Sequence, residues 1–271
     1  MEFAVAFIFG VVLGSFLNVV ILRLPKDESI IFTPSHCPNC KNTLKPWHNI
    51  PIISWLVLKG KCAFCQSQIS PLYPTVELLS GLIFALLLSK FSFSFPALLI
   101  AFSFLTLLAL SMIDFRYKMV PDSLNLLALI FAIFGAWSIN AIAINFQNAL
   151  LFAGGFTLLR FALSYILSAS TRARAKKHVT SWSKNYHPYV FIEAMGEGDI
   201  MVGATMGALL GVKLALVAIF LSALIALPIT MMQRGKSKEE QRVPFVPFLT
   251  LATFIVYLFD SPILNYIEAN Y

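Results

Sequence analysis

"LTLLALSMIDFRYKMVPDSLNLL" (105–127) runs apolar up to a carboxylate, Asp114. It then passes through a basic turn with Arg116 and Lys118 and enters a second apolar run after Pro121-Asp122. One membrane-grade segment ends here and another begins. The rest of the chain has the same character. Its 271 residues are 58% hydrophobic and only 12% charged, with a mean hydropathy of +0.80. A soluble domain carries about 25% charged residues. This chain has too little polar surface to cover a soluble globule, so it reads as an integral membrane protein.

A hydrocarbon core about 30 Å thick takes roughly 20 apolar residues of helix. That ruler gives eight candidate spans: 3–22, 75–93, 96–113, 123–140, 146–167, 199–212, 214–232 and 244–259. The first is read as a retained helix rather than a cleaved signal. "MEFAVAF" has no basic n-region, and Arg23 and Lys26 follow the apolar run. With the N-terminus outside, the inner loops are 23–74, 114–122, 168–198 and 233–243. They hold 17 of the 20 lysines and arginines; Lys90 and Lys213 fall outside and Arg160 lies within the fifth span. That asymmetry is the positive-inside signal. The net charge of +7 therefore needs no nucleic acid partner, and no interleaved aromatic-basic patch suggests one. The expected fold is an all-α polytopic membrane protein of about eight helices: a first transmembrane helix over 1–22, a cytoplasmic four-cysteine domain over 23–74, and a membrane domain with seven further helices over 75–271.

The first inner loop contains "CPNCKNTLKPWHNIPIISWLVLKGKCAFC". Cys37 and Cys40 form one C-x2-C pair, and Cys62 and Cys65 a second. Four thiolates in two close pairs suit a closed tetrahedral Zn²⁺ site. The reducing cytosol argues against two disulfides. His36 and His48 are substitute ligands by residue type. "WHNIPIISWLVL" is too short to span and reads as packing on the ribbon or lying at the interface.

Acids in membrane segments are costly and therefore informative. Asp114 ends the third span and Asp199, in "AMGEGDIMVGATMGALLG" (194–211), begins the sixth. Odd-numbered spans run inward and even-numbered spans outward, so both aspartates lie at one membrane face. Two carboxylates about 3 Å apart share one proton. One then accepts a proton from water and the other donates to a scissile carbonyl oxygen. Gly196 and Gly198 would let a substrate backbone approach closely. The structural reading stays open beside this one: Asp199 as a cap of its helix, and Asp114 as an interfacial charge beside Arg116. Asp122, after Pro121, reads as a cap on span four, and Glu77 as an acid in the first turn of span two. Gly203, Gly207 and Gly211, like Gly10 and Gly14 with Ser15, form small-residue rows that let another helix approach.

Five stretches together resemble the type IV prepilin peptidases: "GSFLNVVILRLP" (14–25), the four-cysteine loop, "YPTVELLSGLIFALL" (73–87), "IDFRYKMVPDSLN" (113–125) and "GEGDIMVGATMGALLG" (196–211). The resemblance implies a membrane aspartic endopeptidase. It would remove the short basic leader of prepilins or pseudopilins at the cytoplasmic face of the bacterial inner membrane. Many members then N-methylate the new terminus with S-adenosylmethionine. By position, Asp114 and Asp199 are the catalytic pair, the cysteines are the zinc-type ligands, and Gly196, Gly198, Pro121, Asp122 and Glu77 are supporting residues. Met201 stands where the family commonly has lysine, and Val246 where glycine is common. No Rossmann-type glycine fingerprint is present, so methyl transfer rests on the resemblance alone. Two rival readings are an acid-pair secondary transporter, which calls for midplane acids and repeats, and a presenilin-like GxGD protease cutting other membrane helices. The basic segment 170–195 is expected to position substrate or an anionic membrane surface. Neutralising its five lysines and arginines should then reduce leader processing in membranes, and unchanged processing and insertion would remove that role.

Overall fold

The computed structural model describes residues 2–91, 93–178, 195–232 and 243–270, with backbone alone over 171–178. The described residues form nine α-helices: α1 Glu2–Arg23, α2 Ile53–Val57, α3 Leu72–Phe91, α4 Phe95–Tyr117, α5 Asp122–Gly135, α6 Ile142–His178, α7 Glu197–Met232, α8 Val246–Leu258 and α9 Asp260–Asn270. They contain no strand. Two isolated antiparallel bridges lie in the cysteine loop.

The all-helical expectation holds, but the span count differs. Five helices are long and apolar enough to cross a membrane: α1, α3, α4, α6 and α7. A sixth span results if α8 and α9, bent by 78°, count as one. The 14 residues of α5 reach only about 21 Å at 1.5 Å per residue, short of the hydrocarbon thickness. The sixth and seventh expected spans are joined as α7. Its break falls at Gly211, where φ 68 and ψ −177 demand glycine. The helix α9 was not foreseen from the sequence. Of the basic segment 170–195, Ser170–His178 continue α6, and 179–194 lie outside the described residues.

The core is built around α4, of whose span 72% is buried within the protein, against 17% for α6. Ser94 caps its start, accepting from Ala97 N–H, and Pro96 stands in the first turn, where its missing N–H costs nothing. Lys118, in the left-handed region, ends the helix by donating its N–H to Asp114 O at 2.9 Å. Against α4 pack α3, α5, α8 and α1, while α6 packs on α7. Phe104 meets Phe254 and Tyr257 at ring separations of 5.3 Å. At one end, α9 receives both outlying lysines: Lys90 pairs with Asp260 at 2.6 Å and Lys213 with Glu268 at 3.5 Å.

The glycine rows are packing faces except at Gly211, which serves the break in α7 and not a helix contact. A Cβ at Gly10 would lie 2.7 Å from Ser80 O, and one at Gly14 would lie 2.8 Å from Glu77 Cα. On α7, Gly203 and Gly207 meet Phe156 and Phe152 of α6. Gly154, on the outer face of α6, has nothing within 4 Å. Gly14→Ala should therefore destabilise the α1–α3 contact by about 1–3 kcal/mol through overpacking, seen as a lower melting temperature in detergent. Gly154→Ala should leave it unchanged or raise it.

Candidate active site and metal centre

Asp114 sits in the last turn of α4 and is 7% exposed. The sequence ruler ended the third span at 113; the helix continues to Tyr117, so this carboxylate belongs to the bundle. Its Oδ2 accepts the backbone N–H of Val246 at 3.2 Å. Val246 is the first residue of α8, Pro247 follows it in the first turn, and its N–H is one of those a helix start leaves free. The positive end of the α8 dipole thus faces the carboxylate.

Asp199 comes to the same place from α7. Its carboxylate lies close enough to Asp114 for the two charges to act on one another. It also accepts the backbone N–H of Gly196. Gly196 immediately precedes α7, so Asp199 makes the returning half of a capping box. The capping role of Asp199 is compatible with the pairing expected of it. One carboxylate ties off its helix and faces its partner.

The two glycines divide in role. Beside Gly196 there is open space, with only Asp199 Oδ2 at 3.6 Å from a built Cβ. Gly198 is packed: a Cβ there would lie 2.5 Å from the Cβ of Val120. The expectation that both leave room for substrate is corrected for Gly198, whose missing side chain lets α7 sit on the α4–α5 turn. Asn125, fully buried on α5, reaches Gly198 O at 3.5 Å. Arg160, unexplained in the fifth span, pairs with Glu197 at 3.0 Å. Sequence reasoning missed Val246, Val120, Asn125 and Arg160 as neighbours of the pair. Only Pro247, marking a helix start, signalled free N–H groups.

Asp122 is exposed in the first turn of α5, but Pro121 holds the cap position and no side chain caps that helix. The cap expected of Asp122 is therefore absent. Glu77 is sixth in α3, beyond the first turn expected for it. It is buried, and its Oε2 accepts Ile52 N–H at 2.7 Å, which ties the cysteine loop to the membrane helices.

In that loop the four cysteines converge, all four Sγ atoms within 4.8 Å of one another, and none forms a disulfide. Each pair sits in the same turn. Lys41 N–H donates to Cys37 O, and Gln66 N–H to Cys62 O. Lys41 and Gln66 both have φ near 60°. Cys37 N–H returns to Asn42 O and Cys62 N–H to Ser67 O. Tetrahedral Zn–S bonds of about 2.3 Å place sulfurs about 3.8 Å apart, and Cys37 Sγ lies 3.8 Å from Cys65 Sγ. The Ser67 hydroxyl, 3.1 Å from Cys65 Sγ, and the Ser67 N–H hold the Cys65 thiol down to about 6. A thiolate able to bind a metal is thus available there at neutral pH. Neither His36 nor His48 belongs to the cluster. His36 Nδ1 lies 3.2 Å from Pro34 O, and the His48 ring packs edge-on against Phe64.

An all-helical membrane chain that brings a helix end carrying Asp114 against a helix start carrying Asp199 is compatible with the frame of a membrane aspartic peptidase. The chain belongs to the type IV leader peptidase family. Residues 99–231 match the profile of that description, and residues 8–91 match the bacterial peptidase A24 N-terminal domain. It is similar to proteins named prepilin leader peptidase/N-methyltransferase. One from Neisseria gonorrhoeae is 33% identical, covering 93% of this chain and 88% of the relative. One from Bacillus subtilis is 31% identical, covering 97% and 96%. One from Stutzerimonas stutzeri is 31% identical, covering 95% and 91%. No solved structure matches. This membership leaves no ground for the transporter reading.

Gly198→Ala should push α7 off Val120 and cut leader cleavage in membranes at least tenfold. The double variant with Val120→Gly, which removes the Cβ that is struck, should recover much of it. No recovery would mean that the glycine serves something other than this contact.

Proposed function

We propose that this chain is a prepilin leader peptidase that cuts type IV prepilins or pseudopilins and N-methylates the new N-terminus, with Asp114 and Asp199 as its acid pair. The observation that supports this reading is the convergence of the end of α4, which carries Asp114, with the start of α7, which carries Asp199 85 residues later, Gly198 packing on Val120, in a chain of this family.

The pair shares one proton, because two adjacent carboxylates do not both ionise easily. The ionised member takes a proton from water as the water oxygen attacks the scissile carbonyl carbon. The protonated member donates to the carbonyl oxygen. Collapse breaks the C–N bond, giving the leader a carboxylate and the mature chain an amine that takes up a proton. The titration belongs to the pair, so neither residue has a fixed role. The Val246 N–H and the Gly196 N–H hold the two carboxylates in register. The open space beside Gly196 accommodates the extended substrate backbone.

Cys37, Cys40, Cys62 and Cys65 would hold a structural zinc, which supplies no chemistry to the cut but folds the loop. The concentration of lysine and arginine in the basic loops supports a pair at the cytoplasmic face of the inner membrane, with the N-terminus outside. Eight membrane-entering segments result if α5, α8 and both parts of α7 each count as one.

Asp114→Asn and Asp199→Asn should each lower leader cleavage at least about 10²-fold while the protein still accumulates in membranes, measured by the mass of a prepilin before and after incubation. Full activity in either variant would remove the pair. Metal analysis of purified protein should find about one zinc per chain, and Cys37→Ser should lower both zinc content and thermal stability.

A further inference from the structure

A cavity of about 320 Å³ lies between the cysteine loop and the ends of α1 and α3. Its size falls in the range of small-molecule sites, roughly 300–1,000 Å³. Neither Asp114 nor Asp199 lines it, so it is a second site. Its wall contains Glu77, Asn18, His48, Tyr73, Trp55 and Arg116.

The polar groups in this wall are incompletely matched. Glu77 is 7% exposed and, among the described residues, no lysine or arginine pairs with it. A buried carboxylate without a cation is costly. Asn18 is 3% exposed, and its Nδ2 donates to Tyr73 O at 3.1 Å. Its buried Oδ1 has no partner, nor has His48 Nδ1. Arg23 and Lys26 also line the cavity, but the Arg23 guanidinium is turned to the carbonyls of Ser29, Thr33 and Pro34, so the part of the wall around Glu77 suits a ligand with a positive centre and N–H donors. Tyr73 and Trp55 offer faces for a flat ring, and the exposed Arg116 offers a cation for a carboxylate. S-adenosylmethionine has all four features: a sulfonium, N–H donors, an adenine ring and an α-carboxylate.

We propose that this cavity is the S-adenosylmethionine site, with Glu77 as the counter-charge to its positive centre. The assignment rests on the N-methylation reading above and gives that reading a location. Arg116 lies two residues beyond Asp114, so the cavity and the carboxylate pair share one helix end.

The test uses the full chain in detergent micelles with tritiated S-adenosylmethionine. Equilibrium binding should weaken at least tenfold in Glu77→Gln, which keeps an acceptor for Ile52 N–H, with zinc content retained. Asp114→Asn should bind like the unaltered protein. Ultraviolet crosslinking of the unaltered protein should label peptides containing Trp55 or Tyr73, and this result decides the matter if Glu77→Gln does not fold. Unchanged affinity in a folded Glu77→Gln, or labelling only outside the cavity, would overturn the site. So would a raised KM for leader cleavage with unchanged S-adenosylmethionine affinity, which would mark the cavity as a subsite for the basic leader. A protein that methylates prepilin while labelled elsewhere loses only this assignment. A protein that cleaves prepilin but neither binds S-adenosylmethionine nor methylates loses the N-methylation reading as well.

Discussion

Two carboxylates at one end of an apolar bundle, Asp114 buried and Asp199 half-buried, must each find a donor, and most of the architecture follows from that need. A buried charge without hydrogen bonds is too costly to keep, and few polar side chains are at hand. The donors come from the backbone. Val246 N–H, at the start of α8, serves Asp114, and Gly196 N–H, just before α7, serves Asp199. Helix starts are where backbone N–H groups are free, so the starts of α7 and α8 must converge on the end of α4. That convergence makes α4 the most enclosed of the candidate spans. It also presses Gly198 onto Val120, where no larger residue fits.

The cysteine loop is bound into the same frame. Arg23, buried at the end of α1, donates to the carbonyls of Ser29, Thr33 and Pro34. Glu77 takes Ile52 N–H from the other side of the loop. Gly14 brings α1 close enough to α3 that a Cβ would meet Glu77 and Ser80. A metal-type knuckle, a buried arginine and a glycine contact therefore act on one small region. Loosening any of them should disturb the cavity they enclose.

Much of this was legible in the sequence, and the reasons for the rest are physical. Loop charge put Asp114 and Asp199 on one face because lysine and arginine distribution reports orientation directly. Cysteine spacing announced the cluster because two residues between ligands is what a knuckle turn requires. The span count was less legible. Hydropathy registers apolar character, whereas spanning also needs length, so α5 and α8 read as spans while being 14 and 13 residues long. The role of Gly198 could not be read either, since Val120 is 78 residues away in sequence. Val246 is the clearest case. It looked like a departure from the family pattern, yet its contribution is a backbone N–H, which every residue but proline carries.

The placement of the two sites also constrains how the reactions connect. With Asp114 and Asp199 in their proposed roles, cleavage would leave the mature chain with a charged amine at the end of α4, and a charge cannot cross the bilayer cheaply. A methylation site at the opposite face would require the substrate helix to be released and turned over. The cavity beneath the cysteine loop is lined by Arg116, from the same final turn of α4 as Asp114. The new terminus then needs only to shift along one surface. Under this arrangement the second reaction would be reached without release.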